Sequence, residues 1–244
     1  MPPFGVPEII SAVGGADSVL DAGCGSARLT VALAEAGVAE VVGIDTNLEQ
    51  LAQGRARVVP GVELRVADFD EPLPFADGRF GASVSRLALM IARDPVATLR
   101  ELGRVTVSGG RVATALWGPA GSNPWFELPR AAVAAVLGAE RASYARAFGR
   151  LGDPSEATAV HRAAGLGDVR VETLPETLDV ADAGALWAWM TRENGHVRRV
   201  DAALTAPERA AVLEELARLV TEYRAADGSL RLPRTMTLVT AAAR

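Results

Sequence analysis

The chain has 244 residues, 49% of them hydrophobic, enough to bury one sizeable core. Twenty-five Lys and Arg against 30 Asp and Glu give a net charge of −5 (25 − 30). The signs are interspersed, which excludes general attraction to nucleic acid or an anionic lipid surface. Cys24 is the single cysteine, so there is no intrachain disulfide and no cysteine-based metal site, and no run of about 18 apolar residues is present to span a membrane. The start, "MPPFGVPEII", lacks the basic and apolar regions of a secretion signal. The expectation is a cytoplasmic globular protein, monomer or homodimer, whose partner is a small molecule rather than nucleic acid or membrane.

The first half alternates short apolar runs with helical patterns. "SVLDAG" reads as a strand, and "ARLTVALAEAG" as a helix with Leu29, Leu33 and Ala36 on one face, stopped by Gly37. "EVVGID" is a second strand, "NLEQLAQGRA" a second helix, "VELRVADF" a third strand and "FGASVSRLAL" a fourth. Asp94-Pro95 supplies an N-cap and a pre-set first residue for the helix "VATLRELGRV". The turn "SGG" leads into a fifth strand, "RVATALW".

Past Trp117 a loop and a helix are expected, with Pro129 a point at which that helix can break, then a helix over 154–165 and a sixth strand, "DVRVETL". The stretch from Pro175 to Pro233 is too long for a hairpin loop and must be a structured insertion. It holds an amphipathic helix from about Pro207, with Val212, Leu216, Leu219 and Tyr223 at helical spacing. The final strand is "TMTLVTAAA". Strands alternating with helices imply an α/β fold, a doubly wound and mostly parallel sheet.

Three strand ends carry groups fitted to a nucleoside. The turn "DAGCGSA" opens a helix, and its small residues let a ligand approach backbone N–H groups. Asp45, closing the second strand, can accept from both hydroxyls of a ribose. Asp68 offers a carboxylate to an exocyclic amine, and Phe69 a ring edge to a purine. A nicotinamide dehydrogenase also wants a Gly-rich turn and an acid near Asp45. It has no use, however, for Asp68 or "LPFADGRF".

With these stretches in view, the chain resembles the seven-stranded S-adenosylmethionine-dependent methyltransferases, in the branch that holds the ubiquinone/menaquinone-type C-methyltransferases. "VLDAGCGSARLT" is similar to that family's first motif and "VVGIDTNLEQL" to its ribose-binding segment. "VADFDEPLPFADGRFGASVS" is similar to its adenine-binding strand, and "LRELGRVTVSGGRV" to the elements closing the motif set. The resemblance covers roughly Val19 to Trp117. It implies seven strands, the last antiparallel, in a single methyltransferase domain over 1–244, with helical cap elements within 118–165 and 175–233.

The resemblance also assigns S-adenosylmethionine as cofactor and S-adenosylhomocysteine as its product. Asp21, Gly23, Cys24 and Gly25 would flank the methionine and ribose, and Asp45 would take the ribose hydroxyls, with Thr46 and Leu51 beside the adenosine. Asp68 would accept from the adenine amine and Phe69 would donate a backbone N–H to the ring. Ser85 and Arg86 would turn a carbonyl to the ammonium. Ala27 stands at the third glycine of the loop and Gly81 where the family often has Asp, and the segment before the first strand is short for a lid.

A sulfonium methyl is already activated, so positioning can do most of the work. His196 and His161 are the only histidines. His196, in the insertion, is the candidate general base, in a reaction that can also proceed without one, whereas His161 reads as framework. Met90 and Trp117 are candidate pocket residues, while Trp125, Phe126, Trp187 and Trp189 read first as packing in the cap. Cys24 reads as a small side chain under the ligand rather than a nucleophile. "SRLALM" after the fourth strand lacks the Pro-Pro-aromatic or Pro-Cys mark of nucleic-acid methyltransferases. No Asp, Glu and His cluster has metal-ligand spacing, so no metal is expected. The expected reaction is methyl transfer to a small, apolar or aromatic metabolite at carbon, oxygen or nitrogen. Two alternatives are a cyclisation or rearrangement that uses the sulfonium as a charge, and a non-catalytic binding protein on the same fold.

Overall fold

The structure, a computed structural model, describes residues 3–119, 121–142 and 149–244. Its elements run α1 (Val6–Ala12), β1 (Ser18–Ala22), α2 (Arg28–Glu35), β2 (Glu40–Asp45), α3 (Leu48–Arg55), β3 (Val62–Val66), β4 (Phe80–Arg86), α4 (Pro95–Val105) and β5 (Thr106–Trp117). They continue with α5 (Pro124–Leu137), α6 (Pro154–Ala163), β6 (Gly167–Val180), α7 (Ala183–Glu193), α8 (Gly195–Ala202), α9 (Ala206–Leu219) and β7 (Leu230–Ala242). The seven strands form one sheet in the order β3-β2-β1-β4-β5-β7-β6. β1 to β5 pair in parallel and β7 runs antiparallel to β5. This is the doubly wound, seven-stranded sheet with an antiparallel last strand that the sequence predicts.

Two compact units divide the chain. The first comprises Met1–Gly118, Gly149–Leu174 and Met236–Arg244, and the second Pro119–Phe148 and Pro175–Thr235. Helix α6 falls in the first unit. Residues 143–148 of the stretch expected in the cap lie outside the described residues.

In the first unit the central strands β1, β2 and β4 are buried on both faces, neighbouring residues pointing opposite ways. Val19 joins Ile9, Leu29 and Leu33 on one face, under α1 and α2. Leu20 joins Phe80, Leu99 and Leu102 on the other, under α4. Burying each such side chain is worth about 1.5–3 kcal/mol. Helix α4 starts where the sequence predicts: Asp94 Oδ1 accepts from the Val96 and Ala97 N–H groups, both at 3.0 Å, and Pro95 occupies the first turn.

Some elements differ from expectation. Helix α1 lies in a segment the sequence left unassigned, held by Val6 and Ile9, both fully buried. β5 takes in the expected "SGG" turn as a bulge: between the pairs Phe80↔Thr106 and Ala82↔Arg111 it advances five residues against two. β6 runs on to Val180, past the expected end. Helix α5 passes through Pro129 unbroken, anchored by the buried Trp125, Phe126 and Val133.

In the second unit α5 packs on α9, and α7 on α8 and α9. Helix α9 opens on a capping box, Thr205 and Glu208, with Pro207 in its first turn, and buries Val212 and Leu216 as predicted. The unit's two chain segments are joined by hydrogen bonds at Arg141, whose Nη1 donates to Glu208 Oε1 at 2.7 Å, and at Asn123. The fully buried Asn123 donates through Nδ2 to the Thr235 carbonyl at 3.2 Å, and its Oδ1 accepts from the Thr235 N–H at 3.0 Å. The same Oδ1 accepts from Trp125 Nε1 at 2.9 Å.

Candidate functional site

The turn after β1 is held open by backbone geometry. Gly23, Gly25 and Ala27 all have positive φ, at 75°, 53° and 61°. The Gly23 and Cys24 N–H groups donate to the Ile44 carbonyl at 2.9 and 3.0 Å, locking the turn to the end of β2. The two glycines serve different ends. A Cβ on Gly23 would sit 2.2 Å from the Ala88 Cβ and 3.2 Å from Phe69 Cε1, so this glycine admits protein. At Gly25 nothing comes nearer than Gln50 Oε1, at 3.7 Å, so there the backbone is open to a ligand.

Asp45 faces that opening. Its Oδ2 accepts from the Gly25 N–H and its Oδ1 from the Asn47 N–H, both at 2.8 Å. A carboxylate has about four acceptor sites, so each oxygen keeps one for a further donor. That fits the two hydroxyls of a ribose.

Asp21 lies beneath the turn, 1% exposed. Burial raises its pKa from 3.8 to about 6, against the opposing effects of the Thr30 hydrogen bond and the nearby Arg86 charge, with the Asp45 charge adding to the rise. Arg86, at the end of β4, donates through Nε to the Phe4 carbonyl at 2.9 Å. Cys24 is also buried, and its Sγ approaches Gly43 of β2. Burial, then the Asp21 and Asp45 charges, push the thiol far above its ordinary range, so it holds no thiolate for nucleophilic attack.

The structure thus brings Asp21, Gly23, Gly25, Asp45, Phe69 and Arg86 together at the carboxyl ends of β1 to β4, where open α/β sheets bind ligands. Asp68 stands two residues past β3 and accepts from the Asp70 N–H at 2.9 Å. Thr46 is exposed, while Leu51 is fully buried on the inner side of α3. Ser85 is buried in β4, and Met90, 6% exposed, belongs to the core under α4. Trp117 is half-buried, its ring centroid 6.5 Å from that of Phe4.

The histidines sit in opposite environments. His161 is fully buried; its Nδ1 donates to the Ala157 carbonyl at 2.7 Å, which leaves Nε2 to accept from the Thr114 hydroxyl at 2.9 Å. Burial lowers its pKa from 6.5 to about 4, so it is a neutral framework group. His196 is exposed on α8 in the second unit, its Nδ1 accepting from Arg199 Nη2 at 2.7 Å. Also in the second unit, Trp125, Phe126 and Trp187 are buried in packing. The Trp125 and Trp189 rings meet edge to face at 5.3 Å, with the Arg234 guanidinium 6.0 and 5.7 Å from them. That guanidinium pairs with Glu176.

Thr30, whose hydroxyl donates to Asp21 at 2.7 Å, and the pair Asp70 and Arg93, joined to each other at 3.3 Å beside Asp68, adjoin these groups, and the sequence does not single them out. Thr30 follows Asp21 by nine residues, one helical turn into α2, a spacing that could have flagged it. Arg93 carries no local signal. Among the described residues no group of three or more His, Cys, Asp or Glu could hold a metal ion, and no helix is long and apolar enough to cross a membrane.

Residues 20–114 match the family described as "Methyltransferase domain". A demethylmenaquinone methyltransferase of Mycolicibacterium vanbaalenii is 45% identical over 96 residues, which are 39% of this chain and 40% of that relative. The match thus spans well under half the relative's length. The YcgJ protein of Bacillus subtilis has a similar fold, with TM-score 0.63 at 18% identity, covering 98% of this chain and 97% of that one. A geranyl diphosphate C-methyltransferase of Streptomyces coelicolor, solved with S-adenosyl-L-homocysteine, Mg2+ and geranyl diphosphate, superposes with TM-score 0.53 at 18% identity. It covers 98% of this chain and 76% of that one.

Proposed function

We propose that this chain, whose residues 20–114 carry a methyltransferase domain of the type-11 family, binds S-adenosylmethionine and transfers its methyl group to a small molecule with an apolar or aromatic body. The observation that carries the reading is Asp45: its carboxylate is fixed by the Gly25 and Asn47 N–H groups beside an open glycine backbone. When bound, the cofactor supplies a sulfonium-activated methyl group for in-line displacement. The chain's own residues do the rest. Asp45 accepts from the ribose hydroxyls, the Gly23 to Gly25 backbone lies against the methionine and ribose, and Asp68 accepts from the adenine amine. The Ser85 and Arg86 carbonyls and the Asp21 carboxylate face the cationic amino acid end.

Support for a small acceptor comes from the relatives' names. Demethylmenaquinone and geranyl diphosphate are both small molecules with prenyl chains. The net charge of −5 is consistent with an acceptor other than nucleic acid. Orientation and water exclusion supply the rate, up to about 7–11 kcal/mol in well-aligned cases. In this reading His196 is a solvated side chain rather than the base. Incubation with methyl-labelled cofactor and a panel of prenylated quinols and prenyl diphosphates tests the proposal. Labelled product is the expected result, and turnover to an unlabelled product would overturn methyl transfer in favour of a cyclisation or rearrangement.

A further inference from the structure

Asp68 is 42% exposed at its side chain, and a carboxylate that accessible would ordinarily swing freely in water. Here it is held. Its Oδ1 accepts from the Asp70 N–H at 2.9 Å, and its Oδ2 faces Arg93 Nη2 at 3.7 Å. Asp70 is itself fastened. Its carboxylate, only 12% exposed, accepts from the Arg93 backbone N–H at 3.1 and 3.2 Å, from Arg93 Nε at 3.3 Å and from the Thr98 hydroxyl at 3.2 Å. Arg93 Nη2 donates to Glu71 at 2.7 Å.

One carboxylate therefore ties the residues after β3 to those that open α4, more than twenty positions away. The far side of the second segment is held too, because Arg150 Nη1 donates to the Ala92 carbonyl at 2.6 Å and the Met90 carbonyl at 3.3 Å. An isolated surface ion pair contributes little. This one differs because the carboxylate is largely out of water and a backbone N–H is among its donors.

A carboxylate only accepts, so it favours the exocyclic amine of adenine and opposes the carbonyl that hypoxanthine presents at that position. The opposition lasts only while the carboxylate cannot turn away. We propose that Asp70 and Arg93 are positioning residues that lock the Asp68 carboxylate and so give the site its preference for adenine over hypoxanthine. The proposal rests on the cofactor reading above.

The test is calorimetric binding of S-adenosylhomocysteine and its deaminated counterpart, S-inosylhomocysteine, to the full chain. The wild type should prefer the adenine ligand by about tenfold or more, as one charge-assisted hydrogen bond gives. Asp70→Ala and Arg93→Ala should reduce that preference to about threefold or less, and Arg93→Lys should restore part of it. Asp45→Ala should weaken both ligands together and leave the ratio unchanged. If Asp70→Ala fails to fold, Arg93→Ala carries the test, because that side chain is 66% exposed. Variants that bind both ligands more weakly at the wild-type ratio would overturn the proposal, as would a wild type that binds both equally. A wild type that binds neither overturns the cofactor reading, and the proposal with it.

Discussion

The hydroxyl of Thr30 donates to the carboxylate of Asp21 at 2.7 Å, entirely out of water, directly under the open glycine turn. Removing the donor while keeping the shape isolates its contribution. Thr30→Val should cost about 1–3 kcal/mol at neutral pH, the penalty for a buried acceptor stripped of its partner. Urea unfolding with an unchanged m-value would report it.

Asp21 and His161 should give opposite pH slopes. Asp21 rises from 3.8 to about 6 on folding, so the native state holds the extra proton and this group's contribution falls as pH climbs through that window. His161 drops from 6.5 to about 4, so the unfolded state holds the extra proton and its contribution falls as pH drops through that window. Each is worth on the order of 3 kcal/mol at full extent. Between about pH 4 and 6.5 the two largely offset each other. Relative to wild type, Asp21→Asn should therefore gain stability with rising pH, and His161→Gln should lose it. Unfolding free energies measured across that range would show slope differences of opposite sign, and parallel curves would sink the assignment.

Binding should also move the Asp21 proton. A cationic ligand end beside the carboxylate favours its charged form. Cofactor affinity should rise with pH through about 6, with proton release detectable by calorimetry in buffers of different ionisation enthalpy. Asp21→Asn should abolish that dependence.

At Gly23 the constraint is packing as well as conformation. Gly23→Ala combines a positive φ with a Cβ 2.2 Å from that of Ala88. The left-handed conformation costs about 1–2 kcal/mol and the overpacking a further 1–3. Adding Ala88→Gly should recover only the second part, a double-mutant coupling readable by thermal melts.

His196→Gln should leave kcat within about threefold, since an exposed imidazole engaged by Arg199 is assigned no step. A loss of about 10²–10⁴ would instead make it the general base.

The strand ends were the most legible part of the chain. β2 ends at Asp45 as its pattern predicts, because buried parallel strands read as apolar runs and acidic or small residues punctuate them. α1 was not legible, since seven residues with Val6 and Ile9 buried show too little periodicity. Nor was the continuity of α5 through Pro129, where burial of Trp125 and Phe126 outweighs local propensity. In the site, Asp45 could be read from its place at a strand end, a local fact. The clasp of Asp70 on Arg93 could not, because their meeting depends on how two loops are laid side by side across the sheet.

The stitch between Asn123 and Thr235 bears on how such a chain can diversify. It joins the head of one segment of the second unit to the tail of the other, through a side chain with no exposure. A replacement of the second segment that displaced the Thr235 backbone would leave the Asn123 amide only its local partners, Trp125 Nε1 and the Ser122 hydroxyl. The two segments are therefore best exchanged together, either as two pieces with four crossovers or as one block that takes residues 149–174 with it and needs two.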